Sequence, residues 1–152
     1  MIIRKANRDD VSEIVKMLAS DKLGKLREDY RDLLPQRYYE AFDNIDSDTN
    51  QELVVIENNE NEIVGTLQLS FLQYLTYKGG IRAQIEAVRV RTDYRGKGIG
   101  GKLFEWAINR SKEKGAHLLQ LTTDKKRDGA LEFYGKLGFK ASHEGMKLHL
   151  DI

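Results

Sequence analysis

The sequence predicts a mixed α/β fold built around one sheet, and three observations carry that prediction. Apolar residues recur at helical spacing between Val11 and Ile45, alternate at strand spacing between Glu52 and Arg91, and then follow strand and helix patterns in turn as far as Phe139. A glycine-rich segment, RGKGIGGK at 95–102, separates the last long strand pattern from the helix pattern behind it. The chain has 152 residues, 40% of them hydrophobic, which fills one core, and no low-complexity linker interrupts it. The expectation is a single domain over residues 1–152 with element order β-α-α-β-β-β-α-β-α-β-β.

Each element has a local reason. Residues 2–6, IIRKA, read as the first strand. A helix follows, capped by Asn7 or Asp9, with Val11, Ile14, Val15 and Leu18 on one face. A second helix begins near Pro35, the only proline, whose missing N–H suits a first helical turn. Tyr38, Tyr39, Phe42 and Ile45 continue it at helical spacing. The charged stretch between these helices, SDKLGKLREDYRDLL, reads as a mobile connection at the rim of a substrate site. ELVVIE and EIVGTLQLSFLQYLT form a hairpin across the polar NNEN. RAQIEAVRVR supplies the next strand, after Gly79 and Gly80. GIGGKLFEWAINRSKEKG, HLLQLTT and DGALEFYGKLG then alternate helix, strand and helix, and the tail FKASHEGMKLHLDI reads as two short strands around Glu144 and Gly145.

Composition narrows the function. Twenty-five Lys+Arg against 24 Asp+Glu leave a formal charge of +1, so no general attraction to nucleic acid or an anionic membrane is expected. Arg95, Lys97 and Lys102 are the one local basic cluster. The absence of cysteine removes disulfides and thiolate nucleophiles. His117, His143 and His149 lack metal-ligand spacing, so no metal is expected. No stretch reaches the ~20 apolar residues of a membrane span, and residues 1–20 do not read as a secretory leader, which makes a cytoplasmic location the expectation.

The basic cluster lies in the glycine loop, between a strand ending near Val90 and a helix carrying Leu103, Phe104, Ala107 and Ile108. A turn feeding a helix N-terminus presents unpaired N–H groups and the positive end of the helix dipole, which together favour phosphate. Glycines at 96, 98, 100 and 101 let phosphate approach the backbone, and the cations add charge. The blander reading is a tight turn with solvated lysines. A magnesium-holding Walker loop is disfavoured because Leu103 follows Gly101-Lys102 where Ser or Thr is required. A dinucleotide fingerprint is disfavoured because this loop comes late, after three or four strands.

Two ordered motifs then point to a family. IEAVRVRTDYRGKGIGGKLFEWAI followed by LLQLTTDKKRDGALEFYGKLGF resembles the GNAT superfamily of N-acetyltransferases across roughly the C-terminal half of the chain. Arg95, Gly98 and Gly100 match that family's Arg/Gln-x-x-Gly-x-Gly/Ala motif, and Ala130, Phe133, Tyr134, Gly138 and Phe139 match its Ala-x-x-Phe-Tyr signature. The resemblance implies the GNAT acyl-CoA N-acyltransferase fold and acetyl-CoA as cofactor, with CoA as product. It implies that the pyrophosphate rests on Arg95, Gly96, Lys97, Gly98, Ile99, Gly100 and Gly101, and that the pantetheine arm lies along Val88, Arg89 and Val90. Tyr134 is implied as general acid toward the departing thiolate, and Glu86 as the acid that orients or deprotonates the amine. A salt bridge from Glu86 to Arg82, Arg89 or Arg91 is the competing role. Where many members carry Asn, this chain has Arg127, which is expected to reach the cofactor phosphates instead.

The activity so implied is acetyl transfer from acetyl-CoA to a primary amine by direct attack. A small-molecule acceptor is expected, with a protein or peptide amine, or a non-catalytic acyl-CoA-binding module, as alternatives. Tyr30, Tyr38, His143 and Glu144, with Asp29, Tyr74 and Tyr77, are the candidate acceptor-lining residues beside Glu86, an acidic and aromatic mixture suited to a cationic amine. The resemblance also carries the expectation of a homodimer.

Overall fold

In a computed structural model, which describes residues 1–151, the chain forms two units, one of residues 1–119 and one from Gln120 onward. The first begins with β1 (Ile2–Lys5), a 3₁₀ turn (Arg8–Asp10) and three helices, α1 (Val11–Leu18), α2 (Lys22–Arg27) and α3 (Gln36–Ser47). There follow β2 (Gln51–Glu57), β3 (Ile63–Gln73), a single tight turn α4 (Thr76–Gly79), β4 (Ile81–Val90), a 3₁₀ turn (Thr92–Tyr94), α5 (Ile99–Glu113) and β5 (Leu118–Gln120). The second unit holds α6 (Ala130–Lys136). The sheet runs in the order β1-β2-β3-β4-β5, and β1 through β4 are antiparallel neighbours.

Local chemistry sets these boundaries. The Asn7 side chain accepts from the Asp9 amide at 3.0 Å while the Asp10 carboxylate accepts from the Asn7 amide at 2.7 Å, a reciprocal capping box that closes the turn before α1. Arg4 of β1 donates to both Asp10 oxygens at 2.7 and 3.0 Å, locking strand to helix. Pro35 stands at the N-cap of α3, one residue outside the predicted first turn. The NNEN hairpin closes because Asn58 Oδ1 accepts from the amides of Glu60 and Glu62, with Asn61 at φ 61°.

Helices cover both faces of the sheet. On one side α1 and α3 bury Val11, Ile14, Val15 and Phe42 against Val55. On the other, Ile99, Leu103, Phe104 and Ala107 of α5 are shut from solvent where the helix packs on β3 and β4. Close approach of α5 depends on Gly65 of β3: a Cβ there would lie 2.9 Å from Ile56 Cγ2 and 3.1 Å from Ile99 Cγ2.

Two expectations are corrected. The stretch read as a mobile connection contains α2, because Asp21 caps it by accepting from the Gly24 amide at 2.6 Å. Gly24 also fits where a Cβ would lie 1.9 Å from the Leu18 carbonyl oxygen. The two tail strands do not form. Residues 140–151 carry no regular structure, and Met146, Leu148 and Leu150 are exposed. Alternating apolar residues make a strand only where a neighbouring strand takes up their backbone groups, and the alternation alone does not supply one.

Candidate functional site

The site residues of the first unit lie along β4 and the turn into α5. β3 and β4 run in register from Gln73 opposite Ile81 to Gln68 opposite Glu86, but Thr66 then stands opposite Arg89. Leu67 therefore faces two residues, Ala87 and Val88, which is a β-bulge. Ala87 takes φ 53°, a left-handed conformation that costs a non-glycine residue roughly 1–3 kcal/mol. The bulge frees main-chain groups of Ala87 and Val88 from the ladder, at the place where the sequence expects a pantetheine arm to pair. The Val88 carbonyl also accepts from Arg89 Nη1 at 2.7 Å.

Glu86, immediately before the bulge, is exposed and accepts from Gln84 Nε2 at 2.6 Å. It has no ion pair among the described residues. Arg89 lies against Asp21 at 3.8 Å, and Arg91 against Asp93 at 2.7 Å and Glu62 at 3.4 Å. The carboxylate stands open on the sheet face, where a ligand can reach it.

The glycine loop joins the end of β4 to α5. Gly96 and Gly98 take φ 76° and 82°, which favours glycine, and Gly98 is the N-cap of α5. The Lys102 amide bonds back to the Gly98 carbonyl at 3.2 Å, so the amides of Ile99, Gly100 and Gly101 precede the first intrahelical bond. Neither conformation nor packing demands glycine at 101, since a Cβ there would meet nothing within 4 Å. These open amides, with exposed Arg95 and Lys97 beside them, fit a diphosphate group. A network unseen in the sequence steadies the loop. Tyr94 lies between Arg91 and Lys97, with cations 4.9 and 4.7 Å from its ring centre, while its hydroxyl accepts from Asn58 Nδ2 at 2.9 Å. Asn58 is buried and also donates to Glu62 at 2.7 Å. The Arg91 guanidinium in turn holds the exposed Asp93 carboxyl below its ordinary range.

The other predicted residues belong to other elements. Tyr38 is half-buried, donates from its hydroxyl to Glu28 at 2.9 Å and accepts from the Asp29 amide at 2.8 Å. Burial and the neighbouring Glu28 push its phenol up. Tyr30 is exposed on that connection. Tyr74 and Tyr77 do not line an acidic pocket: Tyr77 stacks on His117 at 4.6 Å, the Tyr74 hydroxyl hydrogen-bonds His117 Nε2, and the charge beside them is Arg82, 4.9 Å from the Tyr74 ring centre. In the second unit, Tyr134 of α6 sits edge-on to Phe133 and Phe139, at 5.4 and 6.1 Å. Arg127 is half-buried in a turn whose Asp124 accepts from the Lys126 amide at 2.8 Å. His143 hydrogen-bonds Ser142 at 2.7 Å, and His143 and Glu144 are exposed. The bulge had no signal in the sequence beyond a strand pattern, and Arg82 was singled out there only as a possible ion-pair partner of Glu86.

Among the described residues no helix is long and apolar enough to cross a membrane, and no group of three or more His, Cys, Asp or Glu side chains is placed to hold a metal. The model of the acetyltransferase (GNAT) family matches residues 21–139. The chain is 35% identical over 82 residues to the aminoalkylphosphonate N-acetyltransferase of Salmonella typhimurium, covering 54% of this chain and 53% of that protein. It is 36% identical over 88 residues to the glucosamine 6-phosphate N-acetyltransferase of Trypanosoma brucei brucei, covering 58% of each. The chain thus spans little more than half the length of these curated relatives. A solved structure from Bacillus halodurans C-125, described as a transcriptional regulator, superposes with a TM-score of 0.94 at 55% identity over 98% of this chain and 99% of that one.

Proposed function

The chain belongs to the acetyltransferase (GNAT) family, and from that premise we propose that it transfers the acetyl group of acetyl-CoA to the primary amine of a small molecule, acting as one catalytic domain. The observation that carries this reading is the juxtaposition on one strand and its exit: an unpaired carboxylate, a bulge that frees backbone, and a left-handed glycine loop opening onto a helix N-terminus. The family match spans residues 21–139.

Bound acetyl-CoA supplies an activated thioester and a thiol leaving group. The amides of 99–101 hold its pyrophosphate, with Arg95 and Lys97 adding charge. Glu86 accepts a hydrogen bond from the incoming amine and takes its proton as the carbon–nitrogen bond forms. Val88 of the bulged strand aligns the arm by its main chain. Tyr134, assigned by its place in the Phe-Tyr signature, donates its proton to the departing sulfur as the carbon–sulfur bond breaks.

Two curated relatives are named for an aminoalkylphosphonate and for glucosamine 6-phosphate as acceptors, which supports a small acceptor. The Bacillus halodurans protein is described as a transcriptional regulator, but a net charge of +1 weighs against a phosphate backbone as partner of this chain. The test is calorimetric titration of acetyl-CoA and CoA, followed by thiol release with a panel of amino sugars, aminoalkylphosphonates, amino acids, polyamines and short peptides. Binding with acceptor-dependent thiol release is expected. Absence of acetyl-CoA binding overturns the assignment of the loop, and binding without release for any acceptor turns the reading toward a non-catalytic acyl-CoA module.

A further inference from the structure

One cation on the face of β4 that carries Glu86 has no counterpart. Arg82, Gln84 and Glu86 alternate on that face, opposite Leu72, Ser70 and Gln68 of β3, while Ala83 and Ile85 point into the core. Four residues of strand at ~3.4 Å each set the Arg82 and Glu86 backbones about 13 Å apart. The other arginines of this strand and its exit have carboxylates within reach, Arg89 at Asp21 and Arg91 at Asp93 and Glu62. Arg82 has no carboxylate partner among the described residues, and its Nε is shut from solvent without a hydrogen-bond acceptor. Partial burial of an uncompensated guanidinium is unfavourable unless something supplies an acceptor.

The position of that guanidinium is fixed. It rests 4.9 Å from the centre of the Tyr74 ring, Tyr74 is tied through its hydroxyl to His117, and His117 is stacked by Tyr77. The turn presenting this cluster is strained: Tyr77, Lys78 and Gly79 take φ 53°, 60° and 74° in succession. Gln73 Nε2 clamps it by donating to the carbonyls of Tyr74, Gly79 and Gly80 at 3.3, 3.0 and 3.0 Å. Strain of this kind persists where surrounding contacts over-determine the conformation, and it gathers at ligand clamps. Between the two charged ends, Gln84, Ser70 and Gln68 form a floor of uncharged hydrogen-bonding groups, all half-buried.

We propose that Arg82 binds an oxyanion on the acceptor, so that the acceptor is a small molecule with a primary amine at one end, read by Glu86, and a phosphate, phosphonate or carboxylate at the other. The neutral floor suits a hydroxylated or amide-bearing spacer. The fork of a guanidinium matches such oxyanions in pairs of hydrogen bonds, which a lysine does not reproduce. This inference rests on the acetyltransferase reading for the role of Glu86, but the anion contact has its own observable.

The experiment uses matched probes: glucosamine 6-phosphate against glucosamine, and 2-aminoethylphosphonate against ethanolamine. Each is titrated calorimetrically into the CoA-saturated protein and assayed for thiol release with acetyl-CoA, for wild type, Arg82→Gln and Arg82→Lys. The expected result is at least tenfold tighter binding of an anionic probe than of its neutral partner. In Arg82→Gln that preference is lost, and in Arg82→Lys it is partly kept, with acetyl-CoA affinity and neutral-amine turnover unchanged in both. Anionic probes that bind through Arg82 without being acetylated sustain the inference and count against the transferase reading. Neutral amines acetylated as well as their anionic partners overturn it and leave the transferase reading standing. Failure of both anionic probes to bind or react also overturns it.

Discussion

Gln68 of β3 stands directly opposite Glu86 of β4, and theirs is the last matched pair before the ladder slips to set Thr66 against Arg89. The carboxylate is thereby exposed on the open sheet face, held by Gln84, at the point where the backbone leaves its regular pairing. Glu86→Gln keeps the shape and removes the carboxylate proposed as base. We expect kcat/KM for the amine to fall by ~10²–10⁴-fold while acetyl-CoA affinity is kept. Equal turnover would transfer the base role elsewhere.

Ala87 carries the conformational cost of that slip at φ 53°. Ala87→Gly removes the steric part and is expected to be neutral or to stabilise by up to ~1 kcal/mol. Ala87→Val is expected to destabilise by about 1–3 kcal/mol, because a β-branched side chain is disfavoured at positive φ. Thermal unfolding of both variants beside wild type reads the sign directly.

Gly101 separates stability from cofactor binding. Its φ is ordinary and a Cβ there has open space, so Gly101→Ala is expected to stabilise α5 by about 0.5–1 kcal/mol. On the proposed function the same methyl stands beside the amides assigned to the pyrophosphate, so CoA affinity is expected to drop about tenfold or more. A variant with higher melting temperature and unchanged CoA affinity would remove Gly101 from the cradle.

Gly65 tests the support beneath that cradle. A Cβ there lies within 3.2 Å of the Arg89 carbonyl as well as against Ile56 and Ile99, so Gly65→Ala pushes α5 away from the sheet. A loss of about 1–3 kcal/mol is expected in denaturant unfolding, together with weaker CoA binding.

Asp10 predicts the acid limb of stability. Burial pushes its carboxyl up, but hydrogen bonds from Arg4 and the Asn7 amide, with the Arg4 charge, outweigh that and hold it below its ordinary value. A group with a folded-state pKa below its unfolded value of about 3.9 contributes stability fully above that value and loses it as pH falls through the lowered one. Denaturant midpoints are expected to decline below about pH 4 in wild type. Asp10→Asn should start lower at neutral pH and decline less; parallel curves would show that other carboxylates carry the acid limb.

Most of the fold and part of the site were legible along the chain because they rest on local patterns. Helix faces such as Val11, Ile14 and Val15, the NNEN hairpin and the alternation of β4 follow from side-chain period and turn chemistry, which neighbours in sequence dictate. The glycine turn into α5 was legible from its composition, but the left-handed φ of Gly96 and Gly98 was not. The tail was misread because its alternation is necessary for a strand and not sufficient for one. The bulge at Ala87, the absence of an ion pair at Glu86 among the described residues, and the engagement of Asp21 with Arg89 are decided only by tertiary structure. Register and ion-pair choice depend on which residues far apart in sequence face each other, and several arginines and carboxylates could have paired differently.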